Sequence, residues 1–119
     1  AKRLVEDALI LDGAGCFSIV LEAVPARLAE LISKKISIPT IGIGAGAGCD
    51  GQGLVTHDLL GLFDRFTPKF VKKYANFHSE MQKAFGDFIE DVESKRFPTQ
   101  EHTVEMDDKE WESFQKELG

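Results

Sequence analysis

In the opening segment, Leu4, Val5, Ala8 and Leu11 recur at three- and four-residue steps, which predicts a helix over residues 2–12. "GAG" at 13–15 ends it, since glycine loses the most backbone entropy when held in a helix. "CFSIVLE" (16–22) is then a nearly continuous apolar run closed by a carboxylate, the pattern of a parallel strand buried on both faces. Pro25 suits the first turn of the next helix, where "PARLAELISKK" puts Leu28, Leu31 and Ile32 on one side. "ISIPTIGIG" (36–44) reads as a second buried strand. The order α-β-α-β with short connections predicts an α/β architecture with parallel strands.

The second strand runs into "TIGIGAGAGCDGQG" (40–53), with six glycines in 14 residues. "LVTHDLLGLF" follows as a short turn-rich segment. From about Pro68 to Arg96, Phe70, Tyr74, Phe77, Met81, Phe85, Phe88, Ile89 and Val92 keep helical steps, which predicts one long helix with an aromatic buried face. Such periodicity reports burial before it reports any ligand. "FPTQEH" ends the helix. In the tail, Asp107 with Glu110 suggests a capping box, and Trp111, Phe114 and Leu118 make the apolar stripe of a short helix. Residues 1–96 are thus expected to form the α/β part, with 97–119 an acidic tail. Two strands cannot hide the apolar surface of these helices from water, so several more strands are expected in the complete fold.

Charge narrows the classes. The net charge of −6 is uneven: residues 1–60 carry 5 basic and 7 acidic side chains, 61–96 carry 7 and 6, and 97–119 carry 2 and 7. A body so near neutral has no clustered basic face for nucleic acid. No apolar run approaches the ~20 residues of a membrane span, and no signal-peptide pattern opens the chain. Cys16, in the first apolar run, and Cys49, in the glycine loop, have no metal spacing, which predicts free thiols in a reducing cytoplasm.

The glycine stretch contains a literal G-x-G-x-x-G at Gly46, Gly48 and Gly51. A dinucleotide site needs that motif to open a helix, with an acid about 20 residues on at the end of a second strand. Gln52 to His57 is a poor helix start, no strand is expected after it, and no Gly-Lys-Ser/Thr marks a phosphate loop. A tight ligand-contacting loop at a strand end fits better. Glu22 is the sharper signal, a carboxylate closing an apolar strand at the end where α/β folds place catalytic groups. Half-desolvation there would raise its pKa toward that of a general base. The alternative is an acid favoured by the N-terminus of the helix that Pro25 opens, and spacing alone leaves both open. His57-Asp58 lacks partners at ligand spacing, so solvation or capping is expected of Asp58. His78 and His102 are expected in surface or structural roles.

"GAGCFSIVLEAVPARLAELI", "SIPTIGIGAGAGCDGQGLVTHDLLGL", "PKFVKKYANF" and "FPTQEHT", in this order, resemble the ketopantoate (3-methyl-2-oxobutanoate) hydroxymethyltransferase family over residues 1–103. The succession "IGIGAG", "CDGQ", "HD-LG" is far more specific than a glycine pattern alone. The resemblance implies a (β/α)8 TIM barrel, of which this chain would be the C-terminal portion: the last two strands, their helices and a long C-terminal helix. It implies transfer of a hydroxymethyl group from 5,10-methylenetetrahydrofolate to 3-methyl-2-oxobutanoate, giving 2-dehydropantoate, in pantothenate biosynthesis. It further implies Mg2+ to chelate the oxo acid, a homo-oligomeric cytoplasmic enzyme in which the last helix exchanges between barrels, and Glu22 as the proton acceptor.

Several features depart from the family. Its metal-ligating aspartates and substrate lysine come from earlier strands, so the Mg2+ ligands are expected outside this chain, and no folate-binding residue is assigned within it. Gly53 and Thr56 stand where larger residues are common, and Thr103-Val104 replaces the usual Ser-Phe. The expectation is a fragment, inactive alone, that needs the remaining barrel segment. The rival is a non-catalytic half-barrel that docks onto another chain.

Overall fold

A three-stranded parallel sheet with helices on one face organises residues Ala1–His78, and Ser79–Gly119 form a second unit. The structure is a computed structural model that describes residues 1–119. Helix α1 (Lys2–Gly13) leads to β1 (Ile19–Glu22), α2 (Ala26–Lys35) and β2 (Thr40–Ile43). Strand β3 (Gly51–Gln52) and the one-turn helix α3 (Thr56–Leu59) follow. The α/β class with parallel strands is as the apolar pattern predicts.

Strands β1 and β2 pair in register from Ile19↔Thr40 to Glu22↔Ile43, and β2 pairs with β3 through Ile41↔Gly51 and Gly42↔Gln52. Because side chains alternate along a strand, Ile19 and Leu21 face the helices while Val20 and Glu22 face away. The core follows that division: Ala8 of α1, Ala29 and Ile32 of α2, and Ile19, Leu21 and Ala45 are buried together. Fully burying Ile32 contributes about 1.5–3 kcal/mol. Val20, on the other face, is 57% exposed. The expectation of a first strand buried on both faces is therefore corrected. These 119 residues cover one face only.

The boundaries are also shorter than the apolar runs. The run at 16–22 becomes a strand only from Ile19, since Cys16 N–H still donates to Leu11 O (3.2 Å) at the exit from α1. Cys16 is thus outside the strand. The run at 36–44 narrows to Thr40–Ile43, because Ser37 is tied back to α1. Its N–H and Oγ donate to the two carboxylate oxygens of Asp12 at 2.9 and 2.8 Å. Pro25 is the N-cap of α2, where its carbonyl accepts from Leu28 and Ala29 N–H.

Two strands were expected and three are present. β3 arises inside the glycine loop, in a stretch too polar and too short to read as a strand. Residues 44–50 descend from the C-terminal end of β2 along α2, and the chain then turns up again parallel to β2. Parallel neighbours normally need a crossover of a dozen or more residues. Here a seven-residue link of bends and turns suffices because its glycines press directly on α2. A Cβ at Gly46 would lie 2.5 Å from Ala26 Cβ, and one at Gly48 would lie 2.6 Å from Glu30 Cβ.

The long helix predicted from Pro68 to Arg96 is α4 (Phe77–Glu93). Phe70 and Tyr74 are not on it. Residues 68–76 instead form a turn and an extended return, with Val71 N–H donating to Pro68 O and Tyr74 N–H to Leu59 O (2.8 Å). Phe77 and His78 N–H donate to Leu60 and Gly61 O, so carbonyls at the end of α3 satisfy donors that a longer helix would have kept internal. His78 Nε2 lies 3.0 Å from Asp64 Oδ2, which ties the same turn.

In the second unit, α4 ends at Glu93, a turn follows in which Lys95 takes φ 58°, and Arg96 reaches back to Asp91 and Glu90, each at 2.8 Å. A 3-10 turn, Gln100–His102, has a capping box in which Thr99 Oγ1 stands 2.7 Å from His102 Nδ1. Helix α5 (Asp108–Leu118) begins at Asp107, whose carboxylate accepts from Lys109 and Glu110 N–H. No helix is long and apolar enough to cross a membrane.

Candidate functional site

The C-terminal edge of the sheet brings together Glu22, the glycine loop and the return segment with Phe70 and Tyr74. Glu22 ends β1 on the open face, opposite Ile43. The next residue, Ala23, is held at φ 53°, in the left-handed region that non-glycine residues rarely adopt, and its N–H donates to Ile43 O at 2.8 Å. This kink turns the chain sharply from strand to α2 and leaves the Glu22 side chain at the rim. Backbone strain of this kind is costly and clusters at functional sites.

The Glu22 side chain is exposed. The half-desolvation expected from its apolar neighbours is absent because Val20, Ile41 and Ile43 share its face and nothing in these 119 residues covers that face. The alternative of a helix-terminal acid also loses support. α2 starts at Ala26 with no acidic residue in its first turn, and the helix field fades beyond that turn.

The glycine loop is pinned by a hydrogen-bond network around the buried Thr40. Thr40 is fully buried, and its N–H and Oγ1 donate to Asp50 Oδ2 at 2.8 and 3.0 Å. Ser33 Oγ on α2 lies 2.6 Å from Thr40 Oγ1. The donors of Thr40, backbone first and then side chain, hold the Asp50 carboxyl below its ordinary range. Gln52 Nε2 donates to Gly46 O at 2.9 Å, which closes the top of the loop. Gly46, Gly48 and Gly51 therefore build a link and a strand. They open no helix, and no second strand with a terminal acid follows, as a dinucleotide site would require.

Beside this loop lies a cavity of about 540 Å³ walled by Gly44, Gln52, Leu54, Leu59, Phe70 and Tyr74. Phe70 and Tyr74 look like helix-face residues in the sequence. Only the turn at Pro68, which is a weak signal, points to another placement. The Thr40–Asp50 pair, ten residues apart across a loop, has no sequence signature.

The remaining candidates stay local. His57 and Asp58 lie in α3, whose N-cap is Val55 without a side-chain cap, so Asp58 does not cap it. Cys16 and Cys49 are free thiols, both half-buried. No three His, Cys, Asp or Glu side chains group as a ligand set, and Asp50 Oδ2 already accepts from Thr40. This chain's residues do not by themselves fit a magnesium shell, which wants several oxygen ligands.

The family model described as ketopantoate hydroxymethyltransferase matches residues 1–100. The chain belongs to the ketopantoate hydroxymethyltransferase family. A 3-methyl-2-oxobutanoate hydroxymethyltransferase of Enterococcus faecalis is 60% identical over 108 residues, covering 91% of this chain and 39% of the relative. That of Syntrophus aciditrophicus is 57% identical over 103 residues, covering 87% and 38%. That of Oleidesulfovibrio alaskensis is 54% identical over 119 residues, covering 100% and 41%, so the tail beyond residue 100 also has a counterpart there. The chain spans about two fifths of the length of these relatives.

Proposed function

We propose that this chain is the C-terminal part of a hydroxymethyltransferase that joins 3-methyl-2-oxobutanoate to the one-carbon unit of 5,10-methylenetetrahydrofolate, giving 2-dehydropantoate. Family membership sets the reaction class. The observation that carries the chemistry is Glu22, an accessible carboxylate at the C-terminal edge of a parallel sheet, aimed away from the packed core by the kink at Ala23. In α/β folds of this kind that edge is where reacting groups are placed.

In this role the Glu22 carboxylate accepts the proton from C3 of the oxo acid, and the electron pair of the broken C–H bond delocalises into the 2-oxo group. C3 then bonds to the methylene carbon as that carbon's bond to N10 of the donor breaks. Water replaces N5 on the same carbon and leaves the hydroxyl there; the proton held by Glu22 and one from the water go to the two nitrogens as tetrahydrofolate leaves. The residues that hold Mg2+ lie outside this chain in this reading.

A (β/α)8 barrel accounts for the open face. Val20, Ile41 and Ile43 would line the inside of a closed barrel, where further strands would also desolvate Glu22 and make it a stronger base. Residues 1–96 would supply the last two of the eight strands, β1 and β2, with their helices, and 97–119 an acidic tail. A soluble cytoplasmic homo-oligomer suits the exposed apolar face of α4. In the full-length transferase, Glu22→Gln keeps the shape but removes the base, so C3 deuterium exchange from the oxo acid is expected to fall roughly 10²–10⁴-fold. Exchange near the wild-type rate would rule Glu22 out as the base.

A further inference from the structure

We infer that the cavity at the C-terminal ends of β2 and β3 takes the flat pyrimidinone half of the one-carbon donor's reduced pterin, with Phe70 and Tyr74 as its aromatic walls and Gln52 as the polar contact at its edge. This inference rests on the reading of the chain as part of a methylenetetrahydrofolate-dependent transferase, and it assigns a site within it.

Size comes first. At about 540 Å³ the cavity is in the range that holds drug-sized ligands, roughly 300–1,000 Å³. That is more room than a five-carbon oxo acid fills. Its chemistry points the same way. No lining residue carries a charge, and two leucines and two aromatic rings suit a flat conjugated face. Aromatic rings stack offset on such a face and gain beyond the area they bury.

The walls are placed by the backbone. Phe70 is seated on the bare backbone of Gly44, and Tyr74 is anchored by its N–H to Leu59 O at 2.8 Å. Lys72 Nζ lies 4.9 Å from the Tyr74 ring centre and takes one face of it. Gln52 spends one N–H on Gly46 O at 2.9 Å, which sets the amide plane. Its Oε1 and second N–H are left as an acceptor and donor side by side, matching the alternating donors and acceptors along a pterin edge.

Position completes the case. Glu22 pairs with Ile43, the last residue of β2, and Gly44, which follows it, is in the cavity wall. A ring seated there is carried on the strand next to the proton acceptor, where a methylene group must meet C3.

The test uses the full-length transferase and tetrahydrofolate as the probe, with binding followed by calorimetry. Tyr74→Ala is expected to raise the Kd for tetrahydrofolate and the KM for the methylene donor about ten-fold, the scale seen when one aromatic platform is removed from under a base. Gln52→Leu is expected to act in the same direction and covers the case in which Tyr74→Ala unfolds, read from its melting temperature. The loss should fall on the donor and not on the oxo acid. Unchanged tetrahydrofolate affinity in both variants, or a rise confined to the KM of the oxo acid, would overturn the assignment while leaving the transferase standing. A wild-type enzyme that binds no tetrahydrofolate and exchanges no C3 deuterium would overturn both.

Discussion

The ring of Phe70 occupies the space that a side chain at Gly44 would need. An ideal Cβ there would stand 2.5 Å from Phe70 Cγ, and Gly44 also has φ +64°. Two separate penalties therefore meet at one position. A left-handed L-residue costs about 1–2 kcal/mol, and forcing atoms into a packed contact costs about 1–3 kcal/mol more. Gly44→Ala is expected to destabilise by roughly 2–5 kcal/mol, measured by urea unfolding of the full-length transferase. Combining it with Phe70→Ala should recover the packing part and leave the backbone part. Strict additivity of the two substitutions would show that the ring is not the obstacle.

How much of this was legible in the sequence differs by element. α1, α2 and the cores of β1 and β2 follow from apolar spacing, because each packs on its neighbours within these residues. β3 was not legible, since its pairing depends on how the glycine link lies against Ala26 and Glu30. Phe70 and Tyr74 kept the three- and four-residue rhythm of the helix that follows, yet carbonyls at the end of α3 claim the backbone donors of that segment. Periodicity cannot register such a competition. Glu22 was legible as a strand-end carboxylate. Its exposure was not, because burial depends on what covers the other face of the sheet.

The Thr40–Asp50 contact carries a pH signature. Asp50 has its pKa lowered from an ordinary value of 3.8, first by the Thr40 backbone N–H and then by its hydroxyl. A carboxyl with a lower pKa folded than unfolded stabilises above the unfolded value, and that stabilisation is lost as pH falls through the folded value. Asp50→Asn is therefore expected to lower the melting temperature at neutral pH. The difference from wild type should shrink once pH drops below about 3.8. A gap that stays constant from pH 7 to pH 3 would mean that the charge on Asp50 contributes nothing to holding the loop.

The last prediction concerns α4, where Phe77, Met81, Phe85, Phe88, Ile89 and Val92 are all exposed, Phe85 at 61%. These positions follow helical steps, so they form a continuous stripe wider than the scattered apolar residues of an ordinary surface. Burying even three of the phenylalanines would contribute on the order of 5–9 kcal/mol, comparable with the whole stability of a small domain. So large a term is seldom left in water, and the cover proposed for it is a second subunit. The full-length transferase is expected to sediment as an oligomer. Phe85→Asp, which puts a charge in the seam without a partner, should shift it toward smaller species at least as strongly as it lowers the melting temperature. A wild-type protein that sediments as a folded monomer at micromolar concentration, with α4 amides protected from exchange, would mean that the stripe is covered within one chain.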